Sequence, residues 1–588
     1  MIGKILFIDD NSAKVSLNIA EGVMENIINI HLVFEDDERR ILGEITTLEN
    51  DIVTVQFLGE FKEDSFISGI IRKPKLAAKV RIISKEELAV IMSHNDPKTF
   101  AFGKSVLYKN YPVYVNIDDL FSNHLAIFGN TGSGKSYGVT KILQSLFYNE
   151  KNIAVNSTFF IFDVHGEYNN AFKNLNEFNN NYQYKMFRTN NYNLDGEMLT
   201  IPLWLLDIED IALLLGATEY SQLVIIEKAL LILSVLTERS ETTTKYKNHL
   251  IAKSIQTILY SNLSATKIRS EVFEILSICS TDELNLNALI PGIGYTRDFK
   301  RCFDINKMGT FAENVLIHEY INQFIDEELE KKVSKKINKC TLNDLEDALN
   351  FVIISENILV DDQFYNQAMM LKLKLRNLIV KGYGRLFDFP EYLNKESYLT
   401  KLMIKNNRRS QLININLEGL NANIAYFVTH TLAKLIFDFI SSLENRASVP
   451  IHFLIEEAHH FIKNKDNPLY GENVFEQIAK EGRKYGVIIT LISQRPTELS
   501  ETALSQCSSF LLFRTNHPRD LEYMKRAIPN VNTDIIEKQR SVQPGYCVGL
   551  GKVFKIPLIV KLDLPNPPPH SSNALVYNIW SGNNNKAI

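Results

Sequence analysis

At 588 residues the chain exceeds what one hydrophobic core serves, so two or three folding units are expected. An apolar fraction of 45% and a formal net charge of -5 exclude wholesale disorder and a surface coated in basic residues, so any nucleic-acid contact must be local. Five widely spaced cysteines, Cys279, Cys302, Cys340, Cys507 and Cys547, show no CxxC pair, which argues against a zinc ribbon or disulfide framework and fits a reducing compartment.

The opening MIGKILFIDDNSAKV meets Asp9 and Asp10 too soon for a signal peptide, and no uninterrupted apolar run approaches the roughly 20 residues that span a bilayer. A cytoplasmic chain without a membrane segment is expected. From Gly3 to about Ile83, short runs alternate apolar and polar residues (KILFID, AKVSLN, DIVTVQFLGEF, AKVRIIS) between Asp, Asn and Gly turn signals, the pattern of a small β-barrel over 1–95. Later runs read differently. HLAIF, TFFIFD, QLININL, PIHFLIE, GVIITLI and SFLLF are nearly continuous in apolar residues, as in strands covered on both faces. They predict an α/β core over 96–204 and 409–563 with a mostly parallel sheet. Residues 205–408 between them have helical periodicity broken by polar loops and read as a helical insertion. Its lysines Lys331, Lys332, Lys335, Lys336 and Lys339 form a solvated face or touch DNA. The segment 564–588 begins with Pro-rich LPNPPPH. Its short apolar stretch, Leu575, Val576, Ile579 and Trp580, cannot bury itself alone and is expected to dock on this subunit or another.

The chemistry begins where HLAIF runs into GNTGSGKS. Gly129, Asn130, Thr131, Gly132, Ser133, Gly134, Lys135 and Ser136 match GxxxxGK[ST] in full, and Val139, Ile142, Leu143, Leu146 and Phe147 follow at helical spacing. Glycines let successive N–H groups and the helix N-terminus face phosphate oxygens, while Lys135 reaches the β and γ phosphates and Ser136 holds Mg2+. PIHFLIEEAHHF ends an apolar strand in two acids: Glu456 suits the water shell of the metal and Glu457 suits polarising a water that attacks the γ phosphate. A helix-capping pair is the alternative for these acids. His459 and His460 form neither HExxH nor HxxEH, so they are expected beside the nucleotide or along a ring rather than on zinc. GVIITLI runs into Ser493, Gln494, Arg495 and Pro496, where Gln494 can sense a γ phosphate or serve in a plain polar turn. TFFIFD runs into DVHGEY, where Asp163, His165, Gly166, Glu167 and Tyr168 crowd another strand end with charge, Asp163 on the cofactor-binding side or in a plain acidic turn. Arg483, at the end of an amphipathic helix with Phe475, Ile478 and Ala479, suits a cation offered to the next subunit's γ phosphate, or a helix C-terminal charge. Arg514, after SFLLF, is the second choice.

In these residues the chain resembles the HerA branch of the HerA and FtsK superfamily of RecA-like DNA-translocating ATPases. The likeness runs through the barrel-like start, HLAIFGNTGSGKS, DVHGEY, IPLWLL, LIEEAHHF, EGRKYG and SQRPTELSETALSQCSSFLLFR; the insertion lies outside it. The resemblance implies a RecA-like P-loop fold, an ATP- and Mg2+-dependent ATPase, and a homo-hexamer that moves duplex DNA through its channel. It implies that Lys135 and Ser136 bind nucleotide and metal, that Glu457 is the catalytic base, Gln494 a sensor and Arg483 a finger acting in trans. P-loop ATPases generally carry Asp where this chain has Glu456, although EEAH is familiar in this branch. Relatives of this kind work with a nuclease in DNA processing, or with a nuclease or sirtuin-like effector in antiviral defence. This sequence has no readable nuclease site of its own, so such chemistry would lie on a separate partner.

Overall fold

Strict alternation in the first 83 residues folds as the pattern requires: the strand Ile52–Lys62 buries every second side chain. The computed structural model describes residues 3–571 except 18–26, 37–38, 64, 93–97, 109–110, 149–153, 191–194, 333–335, 356–361, 464–470, 529–530 and 532, together with residue 580. Seven antiparallel strands make the N-terminal sheet: β1 (Gly3–Ile8), β2 (Ser12–Leu17), β3 (His31–Asp36), β4 (Arg39–Glu49), β5 (Ile52–Lys62), β6 (Ser65–Ser68) and β7 (Lys79–Ile82). Their order is β2-β1-β7-β3-β4-β5-β6, and β2 also pairs with β5, so six strands close into a barrel with β6 attached to β5. Closure removes the open edges. Ile5, Val15, Phe34, Ile41, Val55 and Val80 fill the interior.

The chain divides into two compact units, Met1–Glu197 with Thr400–Lys465 and Asn473–Ile588, and Met198–Leu399 with Asp466–Glu472. Besides the barrel, the first unit contains a large sheet. Its strands include β8 (Thr99–Ser105), β9 (Pro112–Asn116), β10 (His124–Phe128), β11 (Thr158–Asp163), β12 (Tyr184–Arg188), β13 (Leu412–Asn416), β14 (Ile451–Ile455), β15 (Val487–Ser493), β16 (Cys507–Leu512), β17 (Tyr546–Gly551) and β18 (Leu558–Lys561). They lie in the order β12-β13-β11-β14-β15-β10-β16-β17-β18-β8-β9; pairs from β12 to β16 are parallel and those from β16 to β9 antiparallel. Every residue of β10, β11, β13 and β14 is buried, which is why these strands read as unbroken apolar runs. The helices Lys135–Phe147 (α1) and Ala422–Ser441 (α2) belong to this unit. Within it, the barrel and the ATPase-like core are joined by Lys538 Nζ on Glu44 Oε1 at 2.6 Å, both side chains largely buried.

The second unit is helical, with the helices Tyr220–Thr237, Glu241–Leu259, Ala265–Ile278, Leu342–Ser355 and Asp362–Val380 and one hairpin, Leu289–Gly292 with Tyr295–Asp298. Among the described residues two helices, Tyr220–Thr237 and α2, are long and apolar enough to cross a membrane, where the sequence predicts no such segment. Tyr220–Thr237 carries Glu227 and Lys228, which interrupt its apolar run, and α2 is 72% buried within the unit it belongs to. Of the lysine cluster, Lys336 lies near the Tyr392 ring and Lys339 donates to Pro390 O; Lys335 and the side chains of Lys331 and Lys332 lie outside the described residues. The apolar stretch at 572–579 is likewise outside them, while Trp580 is exposed.

Candidate nucleotide-binding site

Strand register brings the site together. Phe128 at the end of β10 pairs with Ser493, and Ile455 at the end of β14 pairs with Leu491 two residues earlier on β15. Glu457 therefore reaches the level of Ser493 and of the turn that starts at Gly129. Because β15 lies between β10 and β14, Gln494 sits between the phosphate loop and the acid pair. The loop itself bends where side chains are unwelcome: Gly132 and Gly134 have φ of 75° and 99°, and a Cβ on Gly134 would meet Gly545 N at 2.8 Å. Helix α1 then begins at Lys135, presenting its N-terminus to the loop.

A cavity of about 650 Å³ opens over this junction, within the range of about 300–1,000 Å³ typical of small-molecule sites. Asn130, Thr131, Gly132, Gly134, Lys135 and Ser136 line it from the loop, and Glu456, Glu457 and Gln494 from the two neighbouring strands. Gly129 and Ser133 form the inner side of the loop and do not line it. Thr131 Oγ1 donates to Gln494 Oε1 at 2.6 Å, tying the loop tip to the β15 strand end. Lys135 Nζ donates to Gly129 O at 2.6 Å and Asn130 O at 3.2 Å, the interior of the loop it is expected to share with phosphate.

The two acids differ in charge state because their surroundings differ. Glu456 is fully buried beside Asp163, Glu167 and Glu457, and burial together with these like charges raises its pKa well above the carboxylate range. Burial also pushes Glu457 upward, but His165, His459 and Lys135 more than offset it, and its pKa falls below the usual value. Glu457 is thus a carboxylate at neutral pH. His165 Nε2 stands 3.9 Å from Glu457 Oε1, an ion-pair distance, and His459 Nδ1 stands 3.3 Å from Oε2. Burial drives the His459 imidazole down to about 4, so it is neutral, and it also lies 3.1 Å from Ser493 Oγ. Glu457 adopts the left-handed conformation, φ 47° and ψ 46°, which turns its side chain out of the strand direction. Glu457 stands at the N-cap of the short helix Ala458–His460, but its side chain makes no capping hydrogen bond.

The site fits Mg2+ and a triphosphate on its own geometry. Oε2 of Glu456 and Oε2 of Glu457 are buried without hydrogen-bond partners, and Ser136 lines the cavity one residue beyond Lys135. Ser136 would hold the ion and Glu456 would accept from its water shell; the metal would neutralise phosphate charge. Among the described residues there is no cluster of three or more His, Cys, Asp or Glu that could hold a metal, so His459 and His460 do not form one.

Two residues lie elsewhere. Asp163 is fully buried and does not line the cavity: Oδ1 accepts from Glu167 N at 2.9 Å, and Oδ2 from Tyr168 N and Asn414 Nδ2 at 3.1 Å. It shapes the DVHGEY turn that delivers His165 and Glu167 to the cavity wall. Arg483 lines a separate cavity of about 480 Å³ with Ser122, Phe159, His452 and Ile488, all near the amino ends of their strands, the edge opposite the phosphate loop. The helix leading to it widens into a π turn over Ile478–Gly482, where a Cβ on Gly482 would meet Val487 O at 2.5 Å, and it ends at Gly486 with φ 80°. Arg483 is exposed, its carbonyl accepts from Gly486 N at 3.4 Å, and its guanidinium makes no ion pair or hydrogen bond among the described residues. Arg514 is also exposed, and its carbonyl accepts from Asn130 N at 2.9 Å beside the loop.

Sequence reading missed the wall on the far side of the loop. Pro544 and Gly545 lie against it, Gly545 N donating to Ser133 O at 3.1 Å, and Tyr137, Leu564 and Ser571 line the same cavity. The QPGY turn signal and the LPNPPPH run marked these segments as turn and stiff chain, but nothing local indicated that they return to a loop four hundred residues earlier.

Comparison with known proteins agrees with this geometry. Residues 100–283 match the family model described as Helicase HerA, central domain. The DNA double-strand break repair helicase HerA of Saccharolobus solfataricus is 31% identical over 187 residues, 30% of this chain but only 37% of that protein. Its namesake from Sulfolobus acidocaldarius is 23% identical over 582 residues, covering 94% of this chain and 92% of that one. Among solved structures, VirB4 of Thermoanaerobacter pseudethanolicus covers 80% of this chain and 97% of its own at 12% identity, with a TM-score of 0.44. With its phosphate loop, its paired acids and a likeness that runs nearly end to end, the chain has a P-loop ATPase fold and is similar to the HerA helicases.

Proposed function

We propose that the chain is an ATP-driven translocase of duplex DNA, working as a homo-hexameric ring whose nucleotide sites are completed between subunits. The observation that carries this reading is the division of the site: Lys135, Glu457 and Gln494 gather at one strand edge, while the Arg483 guanidinium stands exposed, with no ion-pair partner among the described residues, at the other. In this reading Lys135 and the loop N–H groups bind phosphate, Glu457 polarises the attacking water, Gln494 orients it, and Arg483 stabilises charge on the neighbour's γ phosphate. Relatives named as DNA repair helicases support the assignment of DNA as the track. A separate nuclease or sirtuin-like effector acts with the ring in DNA processing or antiviral defence.

The test is hydrolysis by the full chain with and without duplex DNA. DNA is expected to stimulate the rate at 50 mM salt and to lose most of that effect by 200 mM, since phosphate contacts weaken by about 10³–10⁵ over such a range when 6–10 are made. A rate indifferent to duplex and single strands at low salt overturns the translocase. Arg483→Ala is expected to lower hydrolysis about 10³-fold or more while leaving ATP affinity near normal. Mixed with wild-type subunits, it should poison the ring beyond its own share, because each variant disables a neighbour's site. A fall in affinity equal to the fall in rate removes Arg483 from this role.

A further inference from the structure

The cavity over the phosphate loop has a wall of a second chemistry. All its charged lining residues and His165 come from the loop, the acid strand or the DVHGEY turn. Pro544, Gly545, Leu564 and Ser571 line it from later in the chain, and Tyr137 from the first turn of α1, without a charge among them. Residues 562–571 reach this position as a fixed strap. Leu562 N donates to Gly545 O at 3.1 Å, Asn566 N to Gln144 Oε1 at 2.9 Å, and His570 N to Glu167 O at 2.8 Å. In return Gln144 Nε2 donates to Pro567 O at 2.8 Å and Asn170 Nδ2 to Pro568 O at 3.0 Å.

Gln144 is buried on α1, and its amide clamps the strap in both directions. The prolines between these anchors have no N–H to satisfy and resist bending, so the strap is ordered at little cost. Leu564 nevertheless leaves 78% of its surface exposed, and it does so at the cavity. An apolar side chain held by a rigid segment beside a phosphate site, with an aromatic residue directly after Ser136 on the same cavity wall, matches the apolar faces of a nucleoside.

We infer that the strap forms the nucleoside subsite: Leu564 and Tyr137, with the Pro544–Gly545 turn, contact the base and ribose of the nucleotide whose phosphates lie on Lys135. This rests on the nucleotide reading of the site and deepens it. The walls offer apolar contact and two hydroxyls, Tyr137 and Ser571, but no charged group to read a base edge. Purine nucleotides are therefore held by their faces, and ATP and GTP bind within a few-fold of each other.

The experiment compares ATP with inorganic tripolyphosphate, both with Mg2+, on the full chain. Wild type is expected to bind ATP more tightly than tripolyphosphate. Leu564→Asp should weaken ATP about tenfold or more and leave tripolyphosphate unchanged. Gln144→Ala, which releases the strap from α1 without touching the cavity lining, should produce the same split. Equal affinity of wild type for the two ligands overturns the subsite while leaving the phosphate site intact, and so does a Leu564→Asp variant that changes oligomeric state but not ATP affinity. Failure of wild type to bind either ligand instead removes the nucleotide reading itself.

Discussion

Glu457→Gln is expected to slow ATP hydrolysis about 10²–10⁴-fold, the range for loss of a positioned general base, with ATP still bound at close to wild-type affinity. The amide keeps the size of the carboxylate but cannot take the proton of the attacking water. Three features support a large effect on rate and a small one on binding. The residue is ionised by its cationic neighbours despite burial, it faces the cavity at the level of the phosphate loop, and it makes no hydrogen bond to the loop. Single-turnover hydrolysis and equilibrium binding of labelled ATP separate the two quantities. The same variant distinguishes a motor from a nucleotide-gated scaffold. A ring trapped with ATP should silence an effector that depends on translocation, whereas an effector held by a scaffold should stay bound and active. If hydrolysis persists within a few-fold of wild type, Glu457 is not the base.

Lys135→Ala is expected to act earlier, on binding. Among the described residues its ammonium is the only cation of the cavity lining besides the titratable His165, and it faces Glu456, Glu457 and Glu167. Without it, a triphosphate approaching the loop meets the acidic groups opposed only by the titratable His165 and the loop N–H groups. Loss of one preorganised, charged donor costs on the order of 10²–10³ in rate, and here the loss in affinity adds to it. Burial holds the lysine's pKa below its usual value, opposed by those three acids, so the bound anion supplies part of the solvation that the protein withholds. Titration with ATP and Mg2+ should give no saturable binding at concentrations that fill the wild-type site. Saturation near the wild-type concentration would show the phosphate to be held by the backbone nest without the side chain.

Much of this site was legible in sequence because its signals are local. GNTGSGKS contains its own turn glycines and helix start, and the unbroken runs HLAIF and PIHFLI announce buried parallel strands before their order is known. Barrel alternation in DIVTVQFLGEF was equally plain. What escaped notice depends on register and on distance along the chain. The reach of Gln494 to Thr131 follows from β15 lying between β10 and β14, and strand order leaves no mark on any one strand. Asp163 looked like a ligand because it ends a strand in a charge; the structure instead spends its oxygens on Glu167 N, Tyr168 N and Asn414, a set of donors that only folding assembles. The left-handed backbone at Glu457 has no sequence signature for a related reason: Glu carries no preference for that region, so only the folded strand end shows it. The place of Arg483 after an apolar helix is readable in the sequence, yet the π turn that precedes it has no signature beyond Gly482.

The contact of Gly545 with the phosphate loop and the return of residues 562–571 to its rim also bear on how the molecule is made. On the ribosome the loop emerges more than four hundred residues before Ser571. At roughly 5–20 residues per second that interval lasts tens of seconds, during which domains already released can fold. The loop spends that time without its opposite wall, unable to grip a nucleotide in full. A nascent chain that has not passed residue 571 therefore presents its phosphate loop with one wall of the cavity still missing.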